Sequence, residues 1–208
     1  MSSEELVSVD FSQGKWNRDD WDFLVSSRWD TVGDVVQEAD HIVNRTPAGA
    51  TGTQLEGELC GETYISLMRK EIYEGPLTIS STMSFDYRMA PSLAFGWNPI
   101  VNSRGHLEHA EHLELVLFNQ GVNVWHHFFR DGKENFHLQS FLRAPFEANT
   151  PYEFKASLSF FDKIPQLTLT VGGHTFGYLE PNLPKVFQVG LIASEGVNRF
   201  YDFKVTRG

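Results

Sequence analysis

Apolar and polar positions alternate with a period of two along most of this chain, the pattern of β-strands with one buried face. In LTISSTMSFDYRM the apolar set is Leu77, Ile79, Met83, Phe85, Tyr87 and Met89, and Thr78, Ser80, Thr82, Ser84, Asp86 and Arg88 fall on the other face. SLAFGWN groups Leu93, Phe95 and Trp97; HLELVLF groups Leu113, Leu115 and Leu117 against His112, Glu114, Val116 and Phe118. The same rhythm returns in PYEFKASLSFF, QLTLTVGGHTFGYL, VFQVGLIAS and RFYDFKV, and HIVNRT and ETYISLMRKEIY also suit strands. NQG (119–121), RDGKEN (130–135) and Gly172-Gly173 read as hairpin turns. RDDWDFLVSS reads as a short helix or an edge segment, and RTPAGATGTQLEGELCGE as a loop.

About ten to thirteen strands with short connections and almost no helix predict an all-β fold, an antiparallel β-sandwich (jelly roll) of two curved sheets. No repeat and no linker breaks the chain, so residues 1–208 are expected to form a single domain.

Strand parity then sorts the candidate chemistry. Neighbours in a strand point to opposite faces, so His126 and His127 cannot share a ligand from a regular strand. In VNVWHHFFR, Val122, Val124, His126 and Phe128 form a core face, and Asn123, Trp125, His127 and Phe129 a mixed polar and aromatic one. In NFHLQSFLR the alternation puts Phe136, Leu138 and Leu142 in the core and His137, Gln139, Phe141 and Arg143 on the mixed face. The RDGKEN hairpin would bring His127 and His137 together, with His112 and Glu114 on the strand before. Aromatic rings cover the apolar faces of sugars, and amides and charges take their hydroxyls. The expected catalytic residues are therefore His127, His137, Glu114 and Arg143, and the expected substrate-binding residues Trp125, Gln139, His112, Asn123, Arg88, Asp86 and Tyr64.

Hydrolysis asks for two carboxyls, for which Glu114 and Asp86 are the nominees. β-Elimination of a uronate asks for a base, an acid and a group that neutralises the carboxylate, which His127 or His137 with Tyr64, Arg143 and Gln139 would supply. The alternative is a groove that binds sugar without turning it over, as a lectin-like module or an accessory subunit.

Composition narrows the partners. With 17 basic and 27 acidic residues, a formal net charge of −10 and no basic cluster, a nucleic-acid partner is not expected. No stretch approaches the roughly 18 apolar residues of a membrane helix, so no membrane partner is expected either. Cys60 is the only cysteine, and the N-terminal MSSEELVSVDFSQG lacks the basic and apolar regions of a signal peptide, so the expected location is cytoplasmic. Acids around Cys60 argue against a reactive thiolate. HLEHAEH lacks the His-Glu-x-x-His pattern, and WNPIVNSRGHLEHAEH has some oxygens but no Asp-rich calcium pattern, so no cofactor and no metal is expected, a structural calcium being the one alternative. An exposed edge strand would permit a homodimer.

The order FSQGKWNRDDWDF, then YISLMRKEIYEGPLTISSTMSFDYRM, then the closing VFQVGLIASEGVNRFYDFKVTR resembles the concanavalin A-like lectin/glucanase superfamily over nearly the whole chain. Within it the chain looks nearest to small YesU-like bacterial proteins associated with plant-polysaccharide use. The resemblance implies a curved sandwich that holds carbohydrate on its concave sheet, where members hydrolyse, eliminate or only bind. The glucanase pattern Glu-x-Asp-x-Glu and the galectin pattern His-x-Asn-Pro-Arg are both absent.

Overall fold

A computed structural model describes residues 4–130 and 133–207. In chain order its strands are β1 (Glu4–Asp10), β2 (Trp21–Leu24), β3 (Val35–Gln37), β4 (Ile42–Asn44), β5 (Ile65–Arg69), β6 (Tyr73–Glu74), β7 (Leu77–Phe85), β8 (Met89–Val101) and β9 (Leu107–Phe118). They continue as β10 (Gly121–Arg130), β11 (Lys133–Arg143), β12 (Tyr152–Phe161), β13 (Ile164–Val171), β14 (His174–Leu179), β15 (Val186–Ala193), β16 (Asn198–Phe200) and β17 (Asp202–Arg207).

Two antiparallel sheets result. One has nine strands along the path β14-β13-β12-β7-β16-β4-β3, with β17 on β7 and β1 on β17. The other has eight along β11-β10-β9-β8-β15-β5-β2, with β6 on β15. Leu93, Phe95, Leu113, Leu115, Val122, Val124 and Leu191 of the eight-stranded sheet meet Ile79, Met83, Phe85, Phe154, Leu169 and Val205 of the other in one buried core. The sandwich expected from the alternation is therefore present, and the alternating apolar sets are the residues that fill it.

Some expectations change. The strands outnumber the expected thirteen because several of them, such as β6, are too short to alternate visibly. RDDWDFLVSS is both things it suggested, a 3-10 turn at Arg18–Asp20 followed by edge strand β2. The supposed loop at 45–62 contains two short helices, α1 (Gly52–Glu56) and α2 (Cys60–Thr63). Thr51 and Gln54 cap α1 reciprocally, a Thr-x-x-Gln signature visible in the sequence. LTISSTMSFDYRM is not one strand: β7 stops at Phe85, and Tyr87 is exposed in a bend before β8. Its polar face is also largely covered, with Ser80 and Ser84 buried. RFYDFKV is split between β16 and β17 at Tyr201. The Asp131-Gly132 turn tip lies outside the described residues, although Arg130 and Lys133 pair on either side of it. No helix among the described residues is long and apolar enough to cross a membrane.

Candidate functional site

The outer face of the eight-stranded sheet, away from the sandwich core, carries the candidate chemistry. The register across β8, β9 and β10 sets it: Glu114 pairs with Ala94 and Trp125, and His112 with Gly96 and His127. Directly paired residues share a face. Leu24, Tyr64, Met68, Ala94 and Ile192 form a small apolar floor on that side, with Trp29 against it. The short α2 helix packs close to the Trp29 segment at Gly61, where a Cβ would lie 3.1 Å from the Trp29 ring and only 2.9 Å from the Thr31 hydroxyl.

Here a cavity of about 290 Å³ opens, with Tyr64, Glu114, Asn123, Trp125, His127 and Glu195 in its wall. Arg28 and Phe136 also line it, and both border a second hollow of about 500 Å³ that reaches Asn102 and Phe129. The two hollows share that border and together have the size of a small-molecule site.

Glu114 lies at the centre, 6% exposed. The Tyr64 hydroxyl donates to its Oε1 at 2.7 Å, and His112 Nε2 lies 3.3 Å from the same oxygen. His127 Nε2 is 3.7 Å from Oε2. Burial pushes the Glu114 carboxyl up, but His127 and His112, with the Tyr64 hydrogen bond, outweigh it and hold the group down at about 2. His127, 4% exposed, donates from Nδ1 to Glu134 Oε1 at 2.9 Å. Burial lowers the His127 pKa, and the adjacent Glu114 and Glu134 more than reverse this, so it ends raised. The Tyr64 hydroxyl is pushed well up by burial and by Glu114, which keeps it a neutral donor.

Three aromatic groups from three strands stack in register beside this carboxylate. The His112 and His127 rings lie 4.6 Å apart at 13°, and Phe136 stacks on His127 at 5.7 Å. Trp125 meets Phe136 edge-on at 5.8 Å, and Arg28 sits over Phe136 at 5.2 Å.

Glu195 enters from the loop after β15. The fully buried Asn198 holds that loop: its Nδ2 donates to the Glu195 and Met89 carbonyls, and its Oδ1 accepts from Ser194 N–H. Burial raises the Glu195 carboxyl, with Arg28 pulling it down and Glu114 pushing it up. The cavity thus holds one carboxyl kept ionised and another shifted toward its protonated form.

Of the eleven residues nominated from sequence, the structure brings together Tyr64, His112, Glu114, Asn123, Trp125 and His127. It corrects His137. A bulge between Val124 and Trp125 on β10 and the facing Ser140 and Leu138 on β11 leaves Gln139 without a partner and reverses parity toward the hairpin tip. Phe136 therefore faces His127, while His137 pairs with His126 on the opposite face and packs edge-on to Phe128 at 5.2 Å. Beyond the bulge the expected parity returns, with Phe141 opposite Asn123. Arg143 pairs with Gly121 at the far end of the hairpin and lies exposed near Gln120, with Nη1 to Oε1 at 3.4 Å, so it does not join His127. Asp86 sits in the bend after β7, in the other sheet, and does not line the cavity. Arg88, in the same bend, lies 3.6 Å from Glu56 and outside the wall, although its charge reaches Glu195.

Sequence reasoning missed Glu195, Arg28, Phe136 and Glu134. The hairpin carried a signal for two of them: a two-residue Asp-Gly turn forces Arg130 onto Lys133, and so Phe136 onto His127. Glu195 and Arg28 lie in loops, where no periodicity marks them. In HLEHAEH, strand β9 replaces helical spacing, and His109 turns instead to Gln188, Nε2 to Oε1 at 2.8 Å. The Cys60 thiol is pushed up by burial and by Glu195, which suits a protonated, unreactive thiol.

No protein-family model and no curated protein matches the chain in sequence. Solved structures match it in shape. A Bacillus subtilis protein of unknown function with a galectin-like fold superposes with a TM-score of 0.65 at 10% identity, covering 100% of this chain and 97% of that one. β-Agarase A from Zobellia galactanivorans gives 0.63 at 9% identity, over 99% of this chain and 92% of the other. The carbohydrate-binding module CBM66 from Bacillus subtilis gives 0.57 at 11% identity, over 87% and 91%. At such identities the likeness establishes the fold alone, an all-β jelly-roll sandwich of two antiparallel sheets.

Proposed function

We propose that this protein binds a plant-type oligosaccharide along the outer face of its eight-stranded sheet and hydrolyses a glycosidic bond there. One observation carries the reading: a single cavity brings two carboxyls, Glu114 and Glu195, beside the rings of Trp125 and Phe136 and the polar groups of Asn123 and Arg28. Rings for the sugar faces, hydrogen-bonding groups for the hydroxyls and two carboxyls in different electrostatic settings are what glycoside hydrolysis uses. An agarase and a carbohydrate-binding module among the structures of the same shape agree with that ligand class.

In this reading Glu195 is the general acid. Its proton passes to the departing glycosidic oxygen as the bond to the anomeric carbon breaks; water then adds its hydroxyl to that carbon and gives its proton to the Glu195 carboxylate, which restores the acid. Glu114, kept ionised, stabilises the positive charge that builds on the sugar ring. His127, His112 and Tyr64 position Glu114, and Arg28 favours a uronate-containing chain. The proposal extends to a single domain over 1–208, kinship with YesU-like bacterial proteins and cytoplasmic action on imported oligosaccharides.

A second reading, binding without turnover, is favoured by one fact: Tyr64, His112 and His127 already engage both oxygens of the buried Glu114. The test is a screen of plant oligosaccharides for new reducing ends and for the ultraviolet absorbance of unsaturated uronates. Hydrolysis predicts reducing ends without that absorbance, and a fall of about 10²–10⁴ in turnover for Glu195→Gln. Unsaturated products would replace hydrolysis with elimination. Binding with no product of either kind would establish the second reading.

A further inference from the structure

We propose that His112, Glu114 and His127 form a site for one divalent transition-metal ion of the zinc class. Each offers a ligand atom, and these atoms all lie within 4.8 Å of one another. An ion among them needs each atom to move in by less than about 1 Å to reach zinc-ligand lengths of ~2.0–2.2 Å. The approach is prepared, because both imidazoles turn Nε2 toward the same carboxylate, at 3.3 and 3.7 Å.

The surroundings resemble those of a ligand set rather than of a simple ion pair. His127 donates Nδ1–H to Glu134, which fixes the tautomer that leaves a lone pair on Nε2, the usual partner arrangement of a metal-bound histidine. Tyr64 holds Glu114 Oε1 at 2.7 Å and leaves Oε2 directed at His127. Among the described residues, Glu134 Oε2 is buried without a hydrogen-bond partner. Two carboxylates, Glu114 and Glu134, therefore flank His127, and His112 is the second imidazole against Glu114. A divalent ion would balance both carboxylates. All of this sits in a largely water-excluded place, where unbalanced charge is costly.

The donor set chooses the ion. Two imidazole nitrogens and one carboxylate suit zinc and its neighbours, whereas calcium and magnesium take oxygen ligands. Three protein ligands leave a fourth position open, and Glu114 and His127 both line the cavity with Trp125 and Glu195. A sugar oxygen or a water could occupy it, and the ion would polarise that oxygen in place of the direct charge stabilisation by Glu114. This deepens the reading of the cavity as a sugar-cleaving site and rests on it for what the ion would do. Ion binding is measured without sugar, so the two can fail separately.

The test uses the full chain, stripped with a chelator and dialysed, then titrated calorimetrically with zinc chloride and, separately, with magnesium and calcium chloride. The expected result is one zinc per chain and no response to the other two. Cobalt(II) should bind at the same stoichiometry and give the visible absorption of a four-coordinate site. His127→Ala and Glu114→Gln should lose zinc binding, Glu134→Gln should weaken it by ~10–100-fold, and His174→Ala, outside the site, should leave it unchanged. Circular dichroism identifies any variant that fails to fold, and the milder Glu134→Gln then carries the comparison. Zinc uptake absent from the folded wild type, or undiminished in Glu114→Gln, His127→Ala and Glu134→Gln alike, would overturn the proposal.

Discussion

His126 and His127 are adjacent on one strand and almost equally buried, at 6% and 4% exposure, yet their pKa values move in opposite directions. Burial lowers both. His126 faces the inner side, stacked on Trp97 at 5.7 Å, with Glu111 at 3.3 Å. The Glu111 side chain is 35% exposed, and solvent weakens its pull, so burial wins and the pKa falls. His127 faces the cavity between Glu114 and Glu134, at 7% and 11% side-chain exposure, and two shielded carboxylates reverse the burial effect. His109 follows His126: burial outweighs its hydrogen bond to Gln188 and lowers its pKa to about 4. Burial alone does not set the protonation of these histidines. The fully buried Glu180 and the hydrogen-bonded Glu111 both pull the His126 pKa up without overcoming burial. Glu114 and Glu134, both in contact with His127, do overcome it.

The comparison can be broken at Glu114. Glu114→Gln keeps the shape and removes the charge, so His127 should become a second His126. In chelator-treated protein, imidazole titration by NMR should show its pKa falling from above to below the ordinary histidine value. Because one partner of a buried pair is lost, thermal or urea unfolding should show a cost of about 3–5 kcal/mol. An unchanged His127 titration would mean that Glu134 alone holds the charge.

His109 sharpens the comparison through pH. Its folded pKa of about 4 lies below the unfolded 6.5, so the unfolded chain binds more protons between these values. The stabilisation from keeping it neutral is complete above about pH 6.5 and is lost as pH falls toward 4, up to about 3 kcal/mol in all. Urea midpoints of wild type and His109→Asn should therefore converge as the pH is lowered. Parallel curves would assign the acid sensitivity to other groups.

Smaller effects separate the two faces. Trp125→Ala should weaken oligosaccharide binding on the order of tenfold, about 1.4 kcal/mol, without changing the His126 titration. His126→Gln and His137→Ala, both on the inner-facing side of the hairpin, should change stability by less than about 1 kcal/mol and leave sugar binding alone. A loss of binding in either would contradict the bulged register.

The sequence by itself determined the sandwich and much of one face of the site. Alternation is local, because successive strand residues must point to opposite sides, and that was enough to separate His126 from His127. The two-residue turn at Asn119-Gln120 fixed the β9–β10 register, which set Glu114 beside Trp125 and His112 beside His127. Tertiary structure decided the rest. The bulge at Gln139 is set by how β11 must pair with β10 at the far end: the turn alone already puts Phe136 on His127 and His137 on His126, and the bulge returns Phe141 to Asn123 and Leu142 to Val122. Glu195 arrives through a loop pinned by Asn198, whose partners include Met89, more than a hundred residues earlier. Neither Arg28 nor Glu195 has any sequence neighbour in the cavity wall except Trp29 and Ser194, so only the closing of the chain places them there. Protonation was the least legible property, because it depends on which charges are buried in contact, and burial is settled only when both sheets and their loops have packed.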